Sequence, residues 1–240
     1  MCGRYGLSAP QRTAELSLDA ALLSEVRDAA PRWNITPSQT VYAVAADAHG
    51  PRPARLRWGL VPVWAKEPSI GNRLANARGE TVRRKPSFRH AFAARRAIVL
   101  ADLYYEWQAL AGARVKQPWC IRQRDDRPFA LAALWEAWRS PPQPDGRVDD
   151  PLETCTLITT AANALTSGIH DRMPVIISER DYEAWLDMAT PLDTVQALLA
   201  PVADDSLYAF RVSTWVNSPA HDDEGCIEPL AEKTERRRDA

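Results

Sequence analysis

The sequence predicts an α+β fold with its strands gathered into one sheet or barrel, and three observations lead there. Short runs rich in β-branched and aromatic residues recur along the chain. Helical patterns are few and short, and they do not alternate with strands in the βα order of a parallel, nucleotide-binding sheet. Neither G-x-G-x-x-G nor G-x-x-x-x-G-K occurs, and no repeat of about 20–50 residues is present.

Residues 11–30 set Leu16, Leu18, Ala21, Leu22 and Val26 among polar residues at near-helical spacing, closed by Pro31, which predicts one amphipathic helix. Strands are expected at Val41-Tyr42-Ala43-Val44, Arg55-Leu56-Arg57-Trp58-Gly59-Leu60, Ala97-Ile98-Val99-Leu100, Trp119-Cys120-Ile121-Arg122 and Phe129-Ala130-Leu131-Ala132-Ala133-Leu134. Residues 140–151 are proline-rich and poor in apolar side chains, so they read as an exposed, mobile loop between strands rather than a domain boundary. Beyond them, 155–159 predicts a strand, 161–167 a short helix and 174–177 another strand. Ser178 followed by Asp181 resembles a helix N-cap opening a helix through Trp185. A second helix is expected near 192–199 and a last strand at 208–212, while the charged tail 232–240 predicts fraying.

The 240 residues, 45% hydrophobic and 25% charged, suit one soluble domain with a sizeable core. No stretch reaches the apolar length of a membrane span, and the N-terminus lacks the basic-then-apolar order of a signal peptide, so a cytoplasmic protein without membrane partners is expected. Cys2, Cys120, Cys155 and Cys226 lie far apart with no C-x-x-C spacing, which argues for free thiols and against a zinc ribbon or a disulfide framework. The net charge of −1 conceals an asymmetry: residues 52–96 hold twelve Lys/Arg against Glu67 and Glu80. That band admits two readings, a polyanion partner or a solvated arginine-rich surface.

Cys2 offers chemistry that no internal cysteine has. With Met1 removed it carries an α-amino group (pKa about 7.7–8.0) and a thiol (about 8.5) on adjacent carbons, so each has a usable deprotonated fraction near neutrality. Such a 1,2-aminothiol captures aldehydes as thiazolidines. Glu106 follows an apolar run and is flanked by aromatics in Tyr104-Tyr105-Glu106-Trp107; it is either an acid whose pKa is raised by its neighbours or a surface glutamate on an edge strand. His170, in Gly168-Ile169-His170-Asp171-Arg172-Met173-Pro174, is either a site residue in a tight loop or an imidazole bonded to the loop backbone. Asn76-Ala77-Arg78-Gly79-Glu80-Thr81 offers groups suited to phosphate and sugar, as a charged helix start would. Four histidines without paired-ligand spacing give no metal site. Of the nine tryptophans, Trp64 is expected to be exposed and Trp58 packed. An exposed aromatic among cations suits single-stranded nucleic acid.

Together, Met1-Cys2-Gly3-Arg4-Tyr5, Arg32-Trp33-Asn34-Ile35-Thr36-Pro37, Trp58-Gly59-Leu60-Val61-Pro62-Val63-Trp64, the 76–81 motif, Ala101-Asp102 with Tyr105-Glu106-Trp107, and Ile169-His170-Asp171-Arg172-Met173-Pro174 resemble the SOS-response-associated peptidase family, over nearly the whole chain. The resemblance implies a single compact α+β domain, residues 1–230, with a barrel-like, mainly antiparallel sheet flanked by helices. It also implies abasic-site processing: Cys2, exposed by Met1 removal, would form a thiazolidine with the ring-opened aldehyde of an abasic site in single-stranded DNA. Asn76 would orient the sugar and the Cys2 amine, Glu106 would move protons, and His170 would act as acid or base and help reverse the adduct. Arg4, Asn34, Pro37, Trp64, Arg78 and Thr159 match family positions around the DNA. The implied partners are single-stranded DNA with abasic sites and replication-fork proteins, with a monomeric protein, no cofactor and a nucleoid-associated cytoplasmic location. Two alternatives share these residues: an N-terminal-cysteine peptidase acting on its own leader or other peptides, and a non-covalent single-strand-binding module. The chain departs from the family at Ala65, where a second aromatic is common, and at Leu103, where glycine is common.

Overall fold

The computed structural model describes residues 2–141 and 149–230. Among them the strands are β1 (Tyr5–Leu7), β2 (Arg32–Ile35), β3 (Thr40–Asp47), β4 (Gly50–Trp58), β5 (Asn76–Arg78), β6 (Arg96–Ala101), β7 (Leu103–Gln108), β8 (Gln117–Gln123), β9 (Phe129–Trp138), β10 (Leu152–Ala161), β11 (Arg172–Pro174), β12 (Ile176–Ile177) and β13 (Leu207–Arg211). The helices are α1 (Gly79–Val82), α2 (Arg89–Ala94), α3 (Ala164–Ser167), α4 (Tyr182–Leu186) and α5 (Leu192–Ala197). The fold is a compact α+β arrangement, with antiparallel pairing throughout except where β10 runs parallel to β4 and to β5.

The strands divide between two sheets. One has the order β13-β8-β7-β1-β2, and the other holds the remaining eight strands. Within the second, β10 pairs with both β4 and β9, so the path β4-β3-β6-β9-β10 closes into a ring. Ring closure explains why these strands read as continuous apolar runs rather than alternating ones, since both faces are covered. In β6, Ile98 and Leu100 face an outer cluster with Phe92 of α2 and Trp185 of α4, while Ala97, Val99 and Ala101 face inward. The inner cluster is rich in alanine (Ala43, Ala45, Ala97, Ala133), which a narrow five-stranded ring requires, and it also takes in Tyr5 and Tyr104 from the first sheet and Cys2 just ahead of it. The two sheets therefore meet at the N-terminus.

Three local expectations are corrected. Residues 11–30 form two 3-10 turns, Pro10–Glu15 and Ala20–Leu23, instead of one α-helix. The Asp19 carboxylate accepts the Ala21 N–H, a local bond that competes with helical pairing, while Leu16, Leu23 and Val26 are still buried. The single strand expected at 174–177 breaks at Val175, so β11 pairs with β10 and β12 with β9; Val175 bridges them, donating to Ile158 and accepting from Ala132. Ser178 makes no side-chain cap, and a 3-10 turn at Glu179–Asp181 leads into α4 instead. In the proline-rich loop, residues 142–148 lie outside the described residues, as does the 231–240 tail. The strands flanking that loop, β9 and β10, pair directly, with Leu152 opposite Trp138.

Candidate active site

Four separate segments bring the proposed chemical groups to the junction of the two sheets. Cys2 precedes β1 and is fully buried. Its carbonyl accepts a 2.7 Å hydrogen bond from the Asn76 side-chain amide, while Asn76 Oδ1 has no hydrogen-bond partner among the described residues. Asn76 is placed by main-chain pairing: it starts β5, opposite Leu157 of β10. The approach to β5 depends on two glycines in contact. Gly59 has φ +126°, and a Cβ there would lie 2.7 Å from the Gly71 carbonyl oxygen. This seats the Trp58 indole N–H on the Ala75 carbonyl at 2.8 Å.

Glu106 sits on β7, which lies between β8 and β1, so the edge-strand reading does not apply. The residue is only 2% exposed, and burial raises its pKa from the ordinary 4.5 to about 7, against the lowering effects of the positive amino terminus and of the Trp107 backbone bond. Burial also raises the Cys2 thiol far above its ordinary value, and the Glu106 charge raises it further. Burial in the folded chain thus favours the protonated thiol, and reaction at the sulfur gains from a base beside it.

His170 lies in the loop between α3 and β11, half-buried, with its pKa lowered by burial against the opposing pull of Asp171. Its Nδ1 accepts the Arg172 backbone N–H at 3.0 Å and lies 2.8 Å from Asp171 Oδ1. The loop is tied to β7 by a 2.7 Å bond from the Gln108 amide to the Gly168 carbonyl.

The residues matched to DNA contacts divide into two groups. Trp64 is 56% exposed and Arg78 is exposed at the end of β5, whereas Trp58 is packed in the core. Pro37 is half-buried. Asn34 is fully buried, with its amide donating to the Val216, Ser218 and His221 carbonyls and its oxygen accepting from Arg4 at 2.7 Å. Asn34 therefore holds Arg4, whose guanidinium also lies 5.5 Å from the Trp107 ring centre. Thr159 is buried on β10 and accepts from Arg172. The basic band is only partly available. Arg52, Arg55, Arg83 and Arg95 pair with Glu153, Glu25, Asp193 and Glu136, and Arg96 is buried against backbone carbonyls. Lys66, Arg73, Arg78, Arg84, Lys85 and Arg89 are exposed and form no ion pair among the described residues.

The family model of SOS response associated peptidase (SRAP) matches residues 1–219. The chain belongs to the SRAP family. Among curated SRAP relatives, the abasic site processing protein YoqW of Bacillus subtilis is 42% identical over 82% of this chain and 86% of its own. YoaM of the same organism, also named an abasic site processing protein, is 38% identical over 91% of this chain and 94% of its own. The Gallus gallus abasic site processing protein HMCES is 32% identical over 73% of this chain and 56% of its own. A crystal structure of a Bacteroides thetaiotaomicron protein shares the fold, with a TM-score of 0.79 at 22% identity over 96% of this chain and all of that one.

Two features of this SRAP chain escape a reading by motif. Tyr104, two residues before Glu106 and hence on the same face of β7, is buried with Cys2 in the inner cluster, and its hydroxyl has no partner among the described residues. The period-two geometry of a strand is the signal that pairs it with Glu106. Glu80 holds Arg172 through two bonds, one of 2.9 Å, joining the 76–81 motif to the His170 loop. That link is invisible in sequence because 92 positions separate the partners.

Proposed function

We propose that this protein captures abasic sites in single-stranded DNA by forming a thiazolidine at Cys2 once Met1 has been removed. The observation that carries the reading is the Asn76 bond to the Cys2 carbonyl, which fixes the N-terminal residue near a carboxyl that titrates at about 7. The ring-opened sugar of an abasic site bears an aldehyde. The Cys2 amine adds to that carbon to give a carbinolamine, the hydroxyl leaves as water so that an iminium ion keeping its N–H remains, and the sulfur then adds to the iminium carbon. The net change is loss of one water. Protonated Glu106 supplies the proton that expels water, and its carboxylate takes the thiol proton as the C–S bond forms. His170 returns protons when the ring reopens.

The names of the SRAP relatives support the substrate class, and the exposed Trp64 together with the exposed cations of the 52–96 band supports a single strand as its carrier. On this reading the protein works as a monomer in the cytoplasm, on single-stranded DNA exposed at replication forks, and no step uses a cofactor.

The test incubates purified protein, shown by intact mass to lack Met1, with single-stranded DNA carrying one abasic site. A denaturation-resistant species is expected from wild type and none from Cys2→Ala. Wild-type protein lacking Met1 that leaves no such species sinks the reading; equal non-covalent binding to abasic and intact strands would favour the binding-module alternative.

A further inference from the structure

His170 Nδ1 has two claimants that cannot be satisfied together. The Arg172 backbone N–H donates to it at 3.0 Å, which requires an unprotonated Nδ1 and puts the neutral ring's proton on Nε2. Asp171 Oδ1 lies 2.8 Å from the same atom, a contact that becomes a hydrogen bond only when Nδ1 carries a proton.

The surroundings hold the first claimant still. The Arg172 backbone is in β11, opposite Ala161, and its guanidinium is clamped by Glu80 and by the Thr159 carbonyl at 2.6 Å. The loop itself is fixed by His170 N–H to the Thr166 carbonyl (2.9 Å) and Ala162 N–H to the Asp171 carbonyl (3.1 Å). The second claimant is movable, since the Asp171 side chain is 86% exposed.

We propose that Asp171 is a positioning residue for the proton of His170: it competes with the Arg172 N–H for Nδ1, so the ring exchanges between a neutral Nε2–H form held by Arg172 and a doubly protonated form held by Asp171. The inference rests on the reading of His170 as the acid or base of adduct reversal. Other charged groups facing the ring are Lys116 from the β7–β8 connection, the Arg172 guanidinium and the amino terminus, all of which oppose protonation. Asp171 also bears on Glu106, raising its pKa, so one exposed carboxylate acts on both proton carriers.

The experiment is a pH titration of 15N-histidine-labelled, Met1-free protein by NMR, in wild type, Asp171→Asn and Asp171→Glu, with crosslink reversal followed against pH on the same samples. The neutral wild-type ring should show the Nε2–H signature. Asp171→Asn should keep that tautomer and lower the His170 midpoint by about 0.5, the scale an exposed ion pair allows. The pH dependence of reversal should move down with it, and Asp171→Glu should recover part of the shift. An Nδ1–H tautomer in wild type, or an unchanged or raised midpoint in Asp171→Asn, overturns the proposal. A wild type that forms no crosslink refutes the capture chemistry instead, and the titration still decides the role of Asp171.

Discussion

Replacing Glu106 by glutamine separates what this side chain does for stability from what it does for chemistry. A carboxyl whose pKa is 4.5 in the unfolded chain and about 7 when folded binds more protons in the folded state between those values. Stability therefore falls as pH rises through that window. The gap corresponds to about 3 kcal/mol once both states are ionised, and to only about 0.4 kcal/mol at pH 4.5. Glutamine keeps the shape and cannot ionise, so the variant should gain on wild type by about 3 kcal/mol at pH 8 and by almost nothing near pH 4.5. Urea unfolding followed by tryptophan fluorescence at several pH values reads this difference directly, because all other titrating groups are common to the two proteins. The same variant should form the crosslink about 100-fold more slowly, the lower end of what a general acid–base group contributes. A stability difference that stays constant from pH 4.5 to about 8 would refute the raised pKa and, with it, the use of Glu106 as a proton carrier near neutrality.

Tyr104→Phe removes a buried hydroxyl that has no partner among the described residues, so the unfolding free energy should stay level or rise by about 1 kcal/mol. A crosslinking rate that drops in this stable variant would show that the hydroxyl meets the substrate; an unchanged rate would assign it to packing. Gly59→Ala forces a Cβ to 2.7 Å from the Gly71 carbonyl at φ +126°, which should cost about 2–3 kcal/mol in urea unfolding. Because the Gly59–Gly71 contact seats the approach to Asn76, the same variant should slow crosslinking; a stability within about 0.5 kcal/mol of wild type would contradict the contact.

The strands were readable because a residue run buried on both faces leaves an unmistakable apolar stretch, as in β6 and β9. The 11–30 segment misleads for a related reason. Its leucine spacing reports burial correctly, but burial of Leu16 and Leu23 is achieved through two 3-10 turns, and the competing Asp19–Ala21 bond is too local to register in a periodicity. In the site, Cys2, Asn76, Glu106 and His170 are legible as motifs; their convergence is not, since it depends on β10 pairing with β5 on one side and β11 on the other. Charge is the least legible property. The basic band of residues 52–96 looks uniform, yet Arg52 and Arg83 find acids 101 and 110 positions away, and only pairing at that range shows which cations remain for a polyanion.

On the proposed reading, pairing over long range also explains how the residue that reacts is ordered so early in the chain, where order is normally weakest. Cys2 is anchored through its carbonyl by Asn76 and followed at once by Arg4, whose carbonyl accepts the Tyr105 N–H at 3.0 Å and whose guanidinium is held by Asn34 and the Val216 carbonyl. None of these bonds uses the Cys2 nitrogen, and the sulfur makes only a long, 4.0 Å contact with the Arg4 carbonyl, so on the proposed reading both atoms stay available for reaction. The cost falls on Glu106, kept in a setting where its ionisation destabilises the fold. A wholly structural arrangement would have no use for that expense, whereas a site that must donate a proton in one step and accept one in the next requires a carboxyl balanced between its two forms near neutral pH.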